Sequence, residues 1–124
     1  MNKRLETYRH LSGKIAKISD DDLKRHLSTA DLIHDGVGGR SYKAKIDNHL
    51  VFVKIISLTD LERTPKNFRS TANFFNLPLY YQYGVGSTGF GVWRELEALL
   101  TVTELVKSGI SANFPLLFHW RILE

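Results

Sequence analysis

Two runs with the composition of β-strands, SYKAKI at 41–46 and HLVFVKII at 49–56, are separated only by Asp47 and Asn48. Asp and Asn favour tight turns and have little β-propensity, whereas Val, Ile, Phe and Tyr are enriched in strands. A connection this short is typical of a β-hairpin. This stretch constrains the fold most, because it requires a sheet with antiparallel strands.

The second of these strands carries one lysine in an otherwise apolar run. Because strand side chains alternate between faces, Leu50, Phe52 and Ile56 share the face of Lys54, and Ile55 lies with the valines on the other. Two apolar faces predict a strand buried on both sides. A buried ammonium needs an anionic partner, since its desolvation costs several kcal/mol. That partner is a carboxylate elsewhere in the chain or a phosphate, unless the lysine extends to water from an edge strand.

The segment before the hairpin has the pattern of two short helices. Apolar side chains recur at steps of three and four residues along its first half, at Leu5, Tyr8, Leu11 and Ile15. Ser19 stands before three aspartates, as an N-cap does before a helix. We therefore expect an N-terminal helical segment at 1–30, followed by an α+β domain at 31–124. The 124 residues suffice for one modest core.

Composition narrows the class of partner and the location. The formal net charge of +4 is spread along the chain, which favours anionic ligands but does not indicate a nucleic-acid-binding stripe. The chain has no cysteine, so disulfides and thiolate metal sites are excluded, and the cytoplasm is the expected compartment. The five histidines lack metal-ligand spacing, and we predict no metal site built from protein ligands alone. No run approaches the roughly 18 to 20 apolar residues of a membrane span.

Glycines precede the hairpin in the sequence DGVGGRSY, where Gly36, Gly38 and Gly39 allow a sharp turn and a close approach to phosphate oxygens. Together with the following VFVK, this stretch resembles the small lobe of protein kinases. In that family a Gly-rich loop covers the nucleotide phosphates, and a strand lysine holds them and pairs with a helix glutamate. Here Ser41 takes the place of the third glycine, and Phe52 replaces the small residue of the usual VAIK.

The resemblance requires a glutamate on a helix that faces Lys54. The run VWRELEALLTVTELVKSG predicts a helix that ends near Gly109 and offers Glu95, Glu97 and Glu104. Only Glu95 aligns with the apolar positions, so it is predicted to face the core and to pair with Lys54. We expect this helix to pack on the sheet through Val92, Leu96, Leu99, Val102 and Val106.

Two further segments complete the comparison with a kinase small lobe. Residues at about 57–88 form an insertion relative to the family, with basic residues such as Arg69 expected to be solvated. Its aromatics predict a satellite core or a partner-binding patch; they are Phe74, Phe75, Tyr80, Tyr81 and Tyr83. The apolar run FPLLFHWRIL at 114–123 is predicted to be a strand, with His119 as a core histidine. Its exposed edge predicts a protein partner or self-association.

The resemblance implies a site for ATP with Mg²⁺, in which Lys54 anchors the phosphates and Glu95 orients Lys54. The phosphates would lie against the glycine segment, formed by Gly36, Gly38, Gly39 and Ser41. The catalytic HRD and DFG motifs of the large lobe are absent from the sequence, so we expect no independent activity. The chain would be an isolated or truncated lobe, or a subunit of a split kinase completed by a large lobe.

Two other functions are open from the sequence. One is a non-enzymatic interaction or regulatory module, inhibitor-like or antitoxin-like, in which the glycines only form turns. The other is a Rossmann-type dinucleotide site, because GVGSTG at 84–89 precedes a predicted helix and Glu124 could bind a ribose. Pro78 in the preceding run disfavours this reading, as does a spacing from Gly84 to Glu124 about twice the roughly 20 residues of the fingerprint.

Overall fold

The computed structural model describes residues 2–36, 39–73, 76 and 91–124. Its elements are α1 (Lys3–Ala16), α2 (Asp20–Ser28), β1 (Asp31–Gly36), β2 (Gly39–Ile46), β3 (His49–Ile55), α3 (Asp60–Arg63), a 3₁₀ turn (Pro65–Asn67) and α4 (Val92–Lys107). The fold is α+β, as predicted, with N-terminal helices, one long helix and a three-stranded antiparallel sheet in the order β1-β2-β3. Of the helices described, none is both long and apolar enough to cross a membrane.

The hairpin between β2 and β3 forms as its sequence predicts. Asp47 and Asn48 both have positive φ angles, 50° and 63°, and Ile46 is paired with His49 across the turn. Positive φ at both central residues is the geometry of a type I′ turn, whose twist matches that of the strands it connects. This turn fixes the register of the two strands and places Ser41 directly opposite Lys54.

One face of the sheet packs against α1. Ala44 and Ile46 of β2 and Val51 of β3 are buried together with Leu11 and Ile15 of α1. The predicted apolar stripe of the first helix is confirmed, and the predicted N-cap Ser19 accepts a hydrogen bond from the amide of Asp22. The N-terminal helical segment and the sheet therefore share one core.

The other face of the sheet is exposed at Leu50 and Phe52 although Ser41 on it is buried, and the prediction that β3 is buried on both faces is wrong. Leu50 and Phe52 are 67% and 65% exposed, and they lie opposite Lys45 and Lys43 of β2. Apolar and aromatic residues are favoured in strands because they fit a half-buried pleated surface, so a run of them does not require two covered faces. Lys54 lies on this face.

Helix α4 packs partly through residues other than those predicted. Its buried residues are Trp93, Leu96, Thr103 and Val106, whereas Val92, Leu99 and Val102 are half-buried. The Trp93 ring contacts the rings of Phe68 and Trp120, with centroids 5.1 and 6.4 Å away, and Thr103 Oγ1 accepts a hydrogen bond from the Leu117 amide at 2.9 Å. The buried side of α4 therefore faces the 59–68 segment and the C-terminal segment. The contacts are made by Trp93 and Thr103, which the predicted stripe did not include.

The C-terminal segment, residues 112–124, runs without strand pairing, so the predicted strand at 114–123 is wrong. Side chains from the N-terminal helices bind its carbonyl groups instead. Arg4 donates to the carbonyl oxygens of Ala112 and Phe114, and Lys24 donates to that of Glu124. These bonds satisfy backbone groups that a sheet would otherwise pair.

Asp47 also links the hairpin turn to α1. His10 Nε2 contacts its carboxylate, and Lys14 Nζ lies 3.2 Å from Oδ1. The hydrogen bond with His10, followed by that with Lys14, lowers the pKa of Asp47 below its usual value.

We expect Asp47→Asn to lower the free energy of unfolding near neutral pH and to lose part of the acid dependence. Because the folded-state pKa is lowered, the carboxylate stabilises the fold above the unfolded value of about 3.9, and this contribution is lost as the pH falls through the folded value. Urea unfolding of both proteins between pH 2 and 7 measures the difference, which should shrink below about pH 4. Parallel stability curves would contradict the role of this carboxylate.

Candidate functional site

The candidate site lies where β3 passes beside the β1–β2 hairpin. Lys54 of β3 is opposite Ser41, which is itself opposite His34 of β1, and Gly36 and Gly39 close the described end of that hairpin. Ser41 is buried. Since a strand rises about 3.3 Å per residue, Gly39 and Ser41 lie within roughly 7 Å of each other along β2. The sheet thus brings the predicted lysine and serine together at the glycine end of the hairpin.

Lys54 and Glu95 form the predicted ion pair. Lys54 Nζ donates to Glu95 Oε1 at 2.6 Å, across 41 positions of sequence. The prediction that the pair is buried is wrong, because the two side chains are 36% and 39% exposed. An ammonium has three N–H donors, so the contact with Glu95 leaves it able to bind an anion from the open side.

The other two candidate glutamates of α4 have different partners. Glu97 Oε1 accepts from Arg69 Nη2 at 2.6 Å, and Lys107 Nζ lies 3.2 Å from Glu104 Oε1. The choice of Glu95 from its position on the helix is therefore confirmed as the one that meets Lys54. The prediction that Arg69 is only solvated is wrong, because it pairs with Glu97 and its guanidinium lies 5.5 Å from the ring centre of Trp120.

The two described glycines of the hairpin have different steric reasons to be glycine. Gly39 has a φ of +116°, and a Cβ there would lie 2.4 Å from the carbonyl oxygen of Ile55. A Cβ at Gly36 would lie 2.6 Å from Nε2 of His34, the far end of a side chain that can move. Gly39 is thus explained by the close approach of β3, whereas a larger residue at Gly36 would require only that the His34 ring move.

Some predicted features lie outside the described residues. These are Gly38, the aromatics Phe74, Phe75, Tyr80, Tyr81 and Tyr83, Pro78, and the GVGSTG motif at 84–89. Within the described ranges, no three His, Asp or Glu side chains are grouped to bind a metal ion. Among the described residues of the candidate site, Lys54 supplies a partly exposed cation beside the glycine-containing hairpin.

Sequence reasoning missed Glu62, which is only 3% exposed. Its carboxylate accepts hydrogen bonds from Thr59 and from the amide of Val92, the first residue of α4. A signal was present in the sequence TDLE at 59–62, because Thr followed three residues later by Glu is the capping-box pattern at a helix start. The pattern identifies the cap of α3 but not its contact with α4.

Comparison of the chain with protein-family models, curated proteins and solved structures finds no match. The functional interpretation therefore depends on the geometry around Lys54.

Proposed function

We propose that the chain is a protein-kinase-like small lobe that contacts the phosphates of a nucleotide and is not catalytic alone. The observation that carries this proposal is the 2.6 Å contact between Lys54 Nζ and Glu95 Oε1. It joins a strand lysine to a helix glutamate, in a chain where a glycine-containing hairpin, that strand and that helix follow one another. The family resemblance assigns these two residues to the same pair.

In the proposed site, Lys54 anchors the phosphates and Glu95 holds the ammonium in position for them. The adjoining backbone at Gly36, Gly38 and Gly39 and the hydroxyl of Ser41 are proposed to line the phosphates. ATP with Mg²⁺ is the proposed ligand and would supply the phosphoryl group for transfer. Transfer itself requires the base and metal ligands of a large lobe, so the proposed setting is a cytoplasmic protein completed by such a partner.

A second function, an interaction module, is favoured by the exposed apolar side chains of the sheet. Leu50 and Phe52 are mostly exposed and lie opposite Lys45 and Lys43. Exposed apolar side chains bordered by charges are a common feature of protein-binding surfaces. A regulatory partner or a second copy of the chain is the proposed occupant under this alternative, and gel filtration that gives a clean monomer would count against self-association.

Titration with ATP and Mg²⁺ tests the first function. We expect saturable binding, measured by calorimetry, because the Lys54 ammonium is partly exposed and can meet the phosphates. Lys54→Met should weaken binding at least tenfold, about 1.4 kcal/mol, because it removes the cation that meets the phosphates.

Lys107→Met is the matched control. Lys107 is another half-exposed lysine paired with a glutamate of α4, and its loss should leave ATP binding within about twofold, roughly 0.4 kcal/mol. Absence of binding at millimolar ATP, or equal affinity in the Lys54→Met protein, would contradict the nucleotide function and favour the interaction module.

A further inference from the structure

Glu62 is a buried carboxylate in the segment that the resemblance to a kinase small lobe treats as an insertion. Its Oε1 accepts from the Thr59 amide at 3.1 Å and from the Thr59 hydroxyl at 2.9 Å, while Oε2 accepts from the Val92 amide at 2.7 Å. The Glu62 carbonyl oxygen accepts from the Trp93 indole at 3.0 Å. One residue therefore binds both of the first two residues of α4.

These contacts replace a local cap that α4 lacks. The N-cap residue is Gly91, and no side-chain capping bond is present there. The first amides of a helix have no partner within the helix, and a carboxylate near them also interacts favourably with the helix dipole. Glu62 supplies this carboxylate across 30 positions of sequence, and its burial leaves the side chain little freedom to move.

The position of Glu95 depends on this end of the helix. Glu95 is three residues after Val92, which is less than one turn and about 4.5 Å along the helix axis. The pair of Glu95 with Lys54 is itself half-exposed, and exposed ion pairs contribute too little to hold a helix in place. The helix must therefore be placed by other contacts, and those at its first turn are the nearest to Glu95.

We propose that Glu62 is a positioning residue, which fixes the start of α4 and so holds Glu95 within reach of Lys54. The segment at 57–64 then controls whether the lysine is paired. The consequence for nucleotide affinity rests on the function proposed above, but the effect on the pair itself does not. The two can therefore be measured separately on the full chain.

The pair can be observed without nucleotide by NMR of lysines labelled with ¹³C at Cε, with the Lys54 signal assigned from Lys54→Arg. Glu95→Gln should shift the Lys54 signal in the parent protein, because it removes the carboxylate beside the ammonium. In a Glu62→Gln background we expect that shift to fall by at least half. In a Glu97→Gln background, which removes a different carboxylate of α4, it should stay unchanged.

A full-sized Lys54 shift in folded Glu62→Gln protein would overturn the positioning role, whatever the loss of stability. If Glu62→Gln does not fold, Glu62→Asp decides, since it keeps the charge but shortens the side chain, so that one carboxylate no longer reaches both Thr59 and the Val92 amide. An unchanged shift there also overturns the role. If the parent binds ATP, Glu62→Gln should weaken binding several-fold. If the parent binds no ATP while the shift is lost in Glu62→Gln, the nucleotide function fails and the positioning role stands.

Discussion

Gly39→Ala is expected to lower the free energy of unfolding by about 3 kcal/mol or more. Its φ of +116° lies outside the conformations that alanine adopts at low cost, and the new Cβ would lie 2.4 Å from the carbonyl oxygen of Ile55. That oxygen belongs to the backbone at the end of β3, one residue after Lys54, so it can move only by disturbing the strand pairing. Urea unfolding followed by circular dichroism gives the difference.

Glycine-to-alanine substitutions at two other positions separate the cost of the positive φ from the cost of the contact with the Ile55 carbonyl oxygen. Gly13→Ala in α1 meets no atom within 4 Å and should raise stability by about 0.5 to 1 kcal/mol, since glycine is unfavourable inside a helix. Gly109 has a φ of +82° but open space around it, so Gly109→Ala should cost only about 1 to 2 kcal/mol from backbone strain. A loss at Gly39 no larger than that at Gly109 would show that the end of β3 yields to the added carbon.

The sequence predicts best what local chemistry determines. Asp47 and Asn48 fix the hairpin because their short polar side chains tolerate positive φ, and no distant contact is needed. Helical periodicity correctly distinguishes Glu95 from Glu97 as the partner of Lys54, although it overstates the burial of Glu95. The turn could be predicted from the two residues that form it, and the position of Glu95 from the spacing of residues along one helix.

Features that depend on contacts between distant segments were missed. The contact of Glu62 with Val92 spans 30 positions, and no pattern in either segment specifies the other. The apolar run of β3 predicted two covered faces, but what covers a strand is decided by other elements, and Phe52 remains exposed. The run at 114–123 has strand composition, yet the carbonyl group of Phe114 is bound by Arg4 of α1 and the amide of Leu117 by Thr103 of α4.

Arg121 attaches this C-terminal segment to the corner between α1 and α2. Its guanidinium donates to the carbonyl oxygens of Ile15 at 2.9 Å and Ile18 at 2.8 Å, and to the carboxylate of Asp20 at 2.8 Å. Its Nε donates to Nε2 of His119 at 3.0 Å. The carbonyl groups at a helix end have no partner within the helix, and a cation there also interacts favourably with the helix dipole.

Arg121→Ala is therefore expected to cost about 2 to 4 kcal/mol of unfolding free energy, because it leaves several partly buried acceptors without their charged donor. Arg121→Lys should recover only part of the loss, since an ammonium cannot span the same acceptors as the planar guanidinium. Arg25→Ala is the matched control: Arg25 also pairs with an aspartate of α2, Asp22, but is 76% exposed, so the loss should be under about 1 kcal/mol. Equal losses at Arg121 and Arg25 would contradict an attachment at this corner.

The pH dependence gives this prediction a second, independent measurement. Burial, and then the nearby charge of Arg121, lower the pKa of His119. A histidine whose pKa is lowered by folding stabilises the protein above its unfolded value of about 6.5, and this contribution is lost as the pH falls from there toward the folded value. Arg121→Ala removes the charge and loosens the segment that buries the imidazole, so both causes weaken together. Stability of the variant should consequently fall less steeply between pH 7 and 5 than that of the parent, and an unchanged slope would mean that Arg121 does not hold His119 in place.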